Sequence, residues 1–208
     1  MKYLVITGDV INYSKLGENS RDRLMDETAR LISSWVDKPS YAAVFRADSF
    51  QLMFKDIGEG MKRSIQLRCW FKKVKTGSDL QLDAKLAIGW GAVARIGNSV
   101  LNSDGPAFHL SGRNFDDMKD STERFRVVSG DDQKDKQIQV IIGLVDIFIS
   151  EWTSAQAEVV FMTLQGKKQQ DIAAELGIAQ SAVSNRLKLS RWDKINETMN
   201  YIASLLEE

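Results

Sequence analysis

A run near the end of the chain, from Lys168 to Leu187, carries the strongest structural constraint in this sequence. Its apolar side chains repeat at helical spacing on both sides of Gly177, and glycine readily takes the positive φ at which a helix ends. A small residue, Ala173, stands where two sharply crossing helices bring their backbones together. The apolar positions are Ile172, Ala173, Leu176, Ile178, Val183 and Leu187. The pattern predicts a helix-turn-helix, although an ordinary Gly-terminated helical hairpin shares part of it.

The outer face of the second helix in this run is polar, which suits contact with base edges and phosphates. Between Gln180 and Trp192 the charged residues are Arg186, Lys188 and Arg191, and all three are positive. The whole chain has 28 basic and 28 acidic residues, so any affinity for double-stranded DNA has to come from this local patch. The residues predicted to contact DNA are Gln180, Ser181, Ser184, Asn185, Arg186, Lys188 and Arg191.

Three charges imply modest affinity for a single copy, so we expect a homodimer that contacts two half-sites about one helical turn apart. The start of the second helix lacks the usual cap, because Ala179 stands where Ser or Thr is common. The sequence therefore predicts that Ser181 caps the helix slightly further along.

A chain of 208 residues with 43% hydrophobic content can form one large or two modest domains, and we favour two, at residues 1–150 and 151–208. The single cysteine, Cys69, excludes an intramolecular disulfide or a multi-cysteine zinc site, and its apolar surroundings predict a buried thiol. The apolar run at the N-terminus is too short for a signal peptide, and none reaches membrane-spanning length. We expect a cytoplasmic protein without a membrane partner.

The first part of the chain alternates strand and helix signals. Strand-like runs are bounded by turn residues, and helical runs repeat apolar residues every three or four positions. The predicted elements are a strand at Tyr3–Thr7, a helix from Ser20 to Lys38, strands at Tyr41–Arg46 and Phe50–Lys55, a helix at Gly60–Val74 and a strand at Leu82–Val93. This βαββαβ order predicts an α+β chain with a ferredoxin-like domain followed by the all-α helix-turn-helix domain.

The remaining predicted elements complete the two domains. Thr76–Asp79 and the polar run Asp131–Lys136 are predicted as solvated loops. Helices are predicted from Asp104 to about Lys119, at Gln139–Trp152, at Ser154–Gln165 behind a capping box of Thr153 and Gln156, and at Trp192–Leu206, with a strand at Phe125–Ser129. The last helix carries an apolar stripe that packs on its own domain or, less favoured, on a second copy.

Two carboxylates stand out in the first domain: Asp9 at the end of the first predicted strand and Asp48 in the hairpin after the second. Paired aspartates on neighbouring strands hold divalent metal ions in many phosphate-handling enzymes, because Mg²⁺ prefers hard oxygen ligands. Either residue alone is equally compatible with a turn-capping role. The pair is a candidate metal site.

Four blocks in the first domain resemble, in their order, the catalytic core of class III nucleotide cyclases. They are Gly8-Asp9-Val10-Ile11, Arg46-Ala47-Asp48-Ser49-Phe50, Ile88-Gly89-Trp90-Gly91-Ala92-Val93 and Gly105-Pro106-Ala107-Phe108-His109-Leu110-Ser111-Gly112-Arg113. This resemblance covers roughly Lys2 to Ser129. With its helix-turn-helix, nearly the whole chain resembles the SatD-type bacterial proteins, a family of regulators.

The resemblance implies roles for four residues. Asp9 and Asp48 match the aspartates that hold Mg²⁺ or Mn²⁺ with a nucleotide, and Arg113 matches the arginine that stabilises transition-state charge. His109 stands where the cyclases have a ribose-positioning asparagine. It could contact a ribose or phosphate, act as a base, or cap its helix. Cyclase sites form across a homodimer, with the aspartates from one subunit and the other pair from its partner.

Three functions follow from these patterns. The leading interpretation is a DNA-binding transcriptional regulator whose cyclase-like domain dimerises and binds a nucleotide or phosphate ligand, sensing rather than catalysing. The alternative is a metal-dependent nucleotidyl cyclase or related phosphoryl-transfer enzyme with a DNA-binding appendage. A third possibility is that both domains serve only protein contacts.

Overall fold

The computed structural model describes residues 1–76 and 80–208, which form a mixed α/β structure with a five-stranded mixed sheet and eight α-helices. The strands are β1 (Lys2–Ile11), β2 (Ala42–Phe45), β3 (Ser49–Phe54), β4 (Asp83–Ala92) and β5 (Phe125–Val128). The helices are α1 (Glu18–Ser33), α2 (Ile57–Lys72), α3 (Pro106–Asp117), α4 (Asp132–Ser150), α5 (Ser154–Leu164), α6 (Gln169–Leu176), α7 (Gln180–Leu189) and α8 (Trp192–Glu207). The predicted loop Thr76–Asp79 falls largely on residues 77–79, which lie outside the described residues.

The sheet has the order β2-β3-β1-β4-β5. β1 pairs antiparallel with β3 and β4, β2 pairs antiparallel with β3, and β5 joins the edge of β4 in parallel. The two central strands, β1 and β4, are ten residues long and apolar along most of their length, as expected of strands covered on both faces.

One face of the sheet is covered by α3, which lies directly on β4. Gly89 makes this approach possible, because a Cβ at that position would come within 2.3 Å of the Ala107 carbonyl oxygen. The Gly89-Trp90-Gly91 block thus has a packing role. Beside it, Val5 on β1 packs in the same small cluster as Ala107 and Phe108.

The other face of the sheet carries the main core, which includes residues from α1, α2 and α4 and continues into α5 and the helices after it. Leu82, Ala84, Leu86 and Ile88 all contribute to this core, as their alternation along β4 predicts. Helix α2 lies between the sheet and helices α5 and α8 and is therefore buried on nearly all sides, its thiol Cys69 included.

Two sequence predictions about helix starts have clear outcomes. Thr153 and Gln156 form the predicted capping box at the start of α5. The prediction of a loop over Asp131–Lys136 is wrong, because α4 begins at Asp132. The Asp131 side chain accepts hydrogen bonds from the backbone N–H groups of Gln133 and Lys134, so these polar residues form the exposed first turn of a helix.

The apolar stripe of α8 is buried within the chain, at Ile195, Met199, Ile202 and Leu206. The main neighbour of α8 is α2, which lies in the first predicted domain, and α7 and α4 contact it less extensively. The stripe therefore packs within the chain but not mainly on the helices of residues 151–208. Within the described ranges, no single helix is long and apolar enough to cross a membrane. Only α4 and α5 taken together reach that length and composition, and they meet at a bend of 119°.

Candidate nucleic-acid interface and carboxylate site

Helices α6 and α7 are joined by a tight turn. Gly177 takes a left-handed conformation with φ 63°, as predicted, and the Ile178 N–H returns to the Ala173 carbonyl at 3.0 Å. Helix α7 begins directly after Ala179, whose carbonyl accepts the N–H groups of Ala182 and Val183. The prediction that Ser181 caps α7 is wrong, because Ser181 lies inside the first turn and no side chain caps this helix.

The inner faces of α6 and α7 pack against α5. Ile172 and Val183 are fully buried and Ala173 is nearly so, while Leu176, Ile178 and Leu187 are partly buried against the core. The small side chain of Ala173 therefore lies in the contact between helices, as the sequence pattern predicts. This packing fixes which side of α7 faces outward.

The outward side of α7 is polar and lacks acidic residues. Gln180, Ser181, Ser184, Asn185 and Lys188 are exposed, as is Arg191 in the connection to α8, whereas Arg186 is half-buried. None of the ion pairs found in the described part of the chain uses Arg186, Lys188 or Arg191. Their positive charges are not neutralised within the chain.

The two predicted metal ligands come together, with Asp9 on β1 and Asp48 in the turn just before the neighbouring strand β3. Asp9 pairs with Ser49 across β1 and β3, and the carbonyl of the preceding residue, Asp48, accepts the Val10 N–H at 3.1 Å. Asp9 is not at the end of its strand as the sequence predicts, since β1 continues to Ile11. The sheet simply extends two residues beyond it, with Val10 and Ile11 paired to Ala84 and Asp83 of β4.

The electrostatics of this pair are unusual. Burial and, after it, the negative charge of Asp48 raise the pKa of Asp9, while the charges of Lys85 and Lys119 lower it; together they bring the pKa to about 6. Lys85 is the residue that pairs with Asp9 on β4, and its ammonium group donates to the carbonyls of Met118 and Ser121 beyond the end of α3. A cation between the two carboxylates would stabilise their charged forms.

Polar side chains continue from Asp9 along the sheet face that α3 covers. Gln51 donates to the Thr7 hydroxyl at 3.0 Å, and that hydroxyl donates to Ser111 on α3 at 3.1 Å. Sequence reasoning missed Thr7, Gln51 and Lys85. Thr7 could have been found by strand alternation, because it is two residues from Asp9 and thus on the same face.

His109 and Arg113 lie one helical turn apart on the exposed side of α3, whose inner side is formed by Ala107, Phe108, Ser111 and Phe115. The His109 Nε2 atom is 2.9 Å from a carboxylate oxygen of Asp104, just before the helix. Among the described residues, no hydrogen bond or ion pair connects His109 or Arg113 to Asp9 or Asp48. The structure therefore groups the four residues into two separate pairs.

Within the described residues, no group of three or more His, Cys, Asp or Glu side chains is placed to hold a metal ion. Two carboxylates are still compatible with Mg²⁺, which keeps several waters and takes its remaining ligands from substrate phosphates.

Comparisons with known proteins give no independent assignment: no protein-family model matches the chain, and no curated protein matches its sequence.

Proposed function

We propose that this protein is a cytoplasmic transcriptional regulator that binds double-stranded DNA through α7 as a homodimer. The observation that carries the proposal is the outward side of α7, which presents amide, hydroxyl and basic side chains without an acidic residue. A recognition helix needs this composition, since amides and hydroxyls pair with base edges while Lys and Arg neutralise phosphates.

The first domain in this proposal, residues 1–150, is a ferredoxin-like, nucleotide-cyclase-like unit of a SatD-type protein. Support comes from the βαββαβ order of β1 to β4 with α1 and α2, and from the arrangement β2-β3-β1-β4 with antiparallel neighbours. Residues 151–208 are its helix-turn-helix domain. The first domain dimerises and binds a nucleotide or phosphate ligand, which biases how two copies of α7 face DNA.

The test of DNA binding is fluorescence anisotropy of a mixed-sequence duplex titrated with the full chain at several salt concentrations. Arg186→Ala/Lys188→Ala should weaken binding and lower the slope of log K against log salt by about 1 for each lost phosphate contact. Lys55→Ala is a control for the loss of surface charge as such, because it removes an exposed positive charge from the turn after β3. Equal affinity and slope for the double variant and wild type would exclude α7 as the DNA-binding element.

A second function is favoured by one specific observation, the position of the Asp48 carboxylate close enough to Asp9 to raise the Asp9 pKa. In this alternative the protein is a metal-dependent nucleotidyl cyclase or phosphoryl-transfer enzyme. Mg²⁺ or Mn²⁺ would be held by Asp9 and Asp48 and would bind the phosphates of a nucleotide. His109 and Arg113 of a partner subunit would bind the same nucleotide, with Arg113 stabilising its developing charge.

Isothermal titration separates the sensing and catalytic versions of this site from a purely structural one. We expect nucleoside triphosphates to bind wild-type protein only with Mg²⁺ or Mn²⁺, and Asp9→Ala/Asp48→Ala to abolish that heat. Turnover of any bound triphosphate would support the enzyme, whereas binding without turnover would support a sensor. Equal binding by the double variant would remove the aspartates from the site.

A further inference from the structure

Helix α4 packs only one of its faces into the protein. Its buried positions are Ile138, Ile142, Val145 and Ile149, at helical spacing. On the opposite face, Val140 is 69% exposed, Leu144 58%, Ile147 57% and Phe148 46%. Scattered exposed apolar residues are ordinary, but four large ones on one helix face are typical of an interaction surface.

A groove runs beside this face, between α4 and α8. It has a volume of about 320 Å³ and an apolar lining that includes Ile141 and Phe148 from α4 and Ile195 from α8, with Arg191 and Lys194 also contributing. The groove can receive apolar side chains from a helix laid along α4.

The exposed face of α4 is complementary to itself. When two copies of α4 run antiparallel about a two-fold axis between residues 143 and 144, Val140 meets Ile147 and Gly143 meets Leu144. The same register brings Lys136, which is exposed near one end, against Glu151, which is exposed just past the other. In a parallel arrangement each charge would meet its own copy and repel it.

A small residue occupies the centre of this face. Nothing lies within 4 Å of the Cβ position at Gly143, so the helix offers an open notch beside Leu144. A leucine of an antiparallel neighbour fits such a notch, since a glycine lets two helix backbones approach closely.

We propose that the exposed face of α4 is the homodimer interface, formed isologously with a second copy of this chain. In an isologous contact both copies use the same surface, so each favourable pair of residues occurs twice. The apolar and charged pairs arranged symmetrically about residues 143 and 144 are of this kind. The proposal deepens the homodimer of the proposed function and rests on that function only for what the dimer does on DNA.

The interface is connected structurally to α7. Just after α4, the indole N–H of Trp152 donates at 2.9 Å to the carbonyl of Ser190, the residue that directly follows α7. This buried bond and the surrounding core attach α7 to the base of α4. Dimerisation through α4 thereby fixes the relative orientation of the two α7 helices.

The test is sedimentation of the full chain over a concentration range of about 1 to 100 μM, in the absence of DNA. We expect wild type to be dimeric and Leu144→Glu to raise the dimer Kd by about 100-fold, because it buries a charge on each side of the two-fold axis. Leu189→Glu is the matched control, since Leu189 at the end of α7 is equally exposed, at 58%. Circular dichroism verifies that both variants are folded.

Charge reversal tests the antiparallel register separately. Lys136→Glu and Glu151→Lys should each weaken the dimer by roughly threefold to tenfold, and the double variant should restore wild-type affinity. A monomeric wild type, a Leu144→Glu dimer as tight as wild type, or a double variant as weak as the single ones would overturn the proposal. A wild-type protein that is dimeric but does not bind DNA would instead overturn the proposed function. It would not contradict the proposed α4 interface.

Discussion

At the scale of single residues, Asp9 carries the most distinctive chemistry. Its carboxyl group is partly buried next to Asp48, and its pKa is raised from 3.8 to about 6. Between these two values the folded protein holds a proton that the unfolded chain releases, so stability falls as the pH rises through this window. A cation bound next to the ionised carboxylates would offset this loss of stability at neutral pH.

Asp9→Asn should remove the loss of stability that ionisation of Asp9 causes at neutral pH. We expect the free energy of unfolding at pH 7 to rise by about 1 to 2 kcal/mol after allowance for solvent screening, and to change little at pH 4, where the wild-type carboxyl is already neutral. Urea unfolding at the two pH values measures the difference, with the exposed Asp26→Asn as control. A gain of the same size at both pH values would show that the effect is not electrostatic.

At the scale of elements, a buried ionic network connects α2, β4 and α4. The Arg68 guanidinium is fully buried and contacts Asp83 at 2.8 Å and Asp146 at 2.6 Å, while the Lys72 ammonium donates to the Ser150 carbonyl at 3.1 Å. Burial raises the pKa of Asp83, but the charges of Arg68 and Lys72 and the hydrogen bonds of Arg68 outweigh it and hold that pKa below its usual value. The network joins the sheet to the end of α4.

Arg68→Met should lower the free energy of unfolding by about 3 to 5 kcal/mol, because two buried carboxylates lose the cation between them. Arg23→Met makes the same change in an exposed ion pair on α1 and should leave the free energy of unfolding nearly unchanged. Chemical denaturation of the three proteins gives the comparison. Similar stability for Arg68→Met and wild type would mean that the network adds nothing to the fold.

Periodicity predicts the elements well where local pattern and burial agree, as along β4 and at the capping box of α5. It fails at Asp131–Lys136, because a polar first helical turn has the same composition as a solvated loop. The network around Arg68 could not be predicted, since its acidic partners Asp83 and Asp146 are distant in sequence. Its one local signal is a charged residue inside the apolar run of α2.

The candidate sites, like the fold, can be predicted from the sequence only in part. The strand order places β1 beside β3, and the register of these two strands then sets Asp9 opposite Ser49, next to Asp48. The positions of His109 and Arg113 on the outside of α3 depend on which helix face packs on the sheet, and here Ala107 and Gly89 decide it. Lys85 near Asp9 is set by the register of β1 and β4, which local sequence does not specify.

At the scale of the whole molecule, one continuous hydrophobic core joins the sheet to helices α5 to α8. Residues of β1, α2, α5 and α8 belong to the same cluster, and Val183 of α7 is also a member. A change in the sheet or in the α4 interface can therefore shift the orientation of α7 by packing alone. In the regulator we propose, this packing carries the effect of ligand binding to the two copies of α7 on DNA.

This account is tested most directly by selecting DNA from a pool of duplexes with a random central segment of about 30 base pairs, using the full chain. We predict enrichment of a two-fold symmetric motif whose half-sites are centred about 10 base pairs, or a multiple of that spacing, apart. Arg186→Ala/Lys188→Ala should fail to enrich the motif. An unchanged pool after selection with wild-type protein would contradict DNA recognition by α7, and an enriched motif without two-fold symmetry would contradict recognition by an isologous dimer.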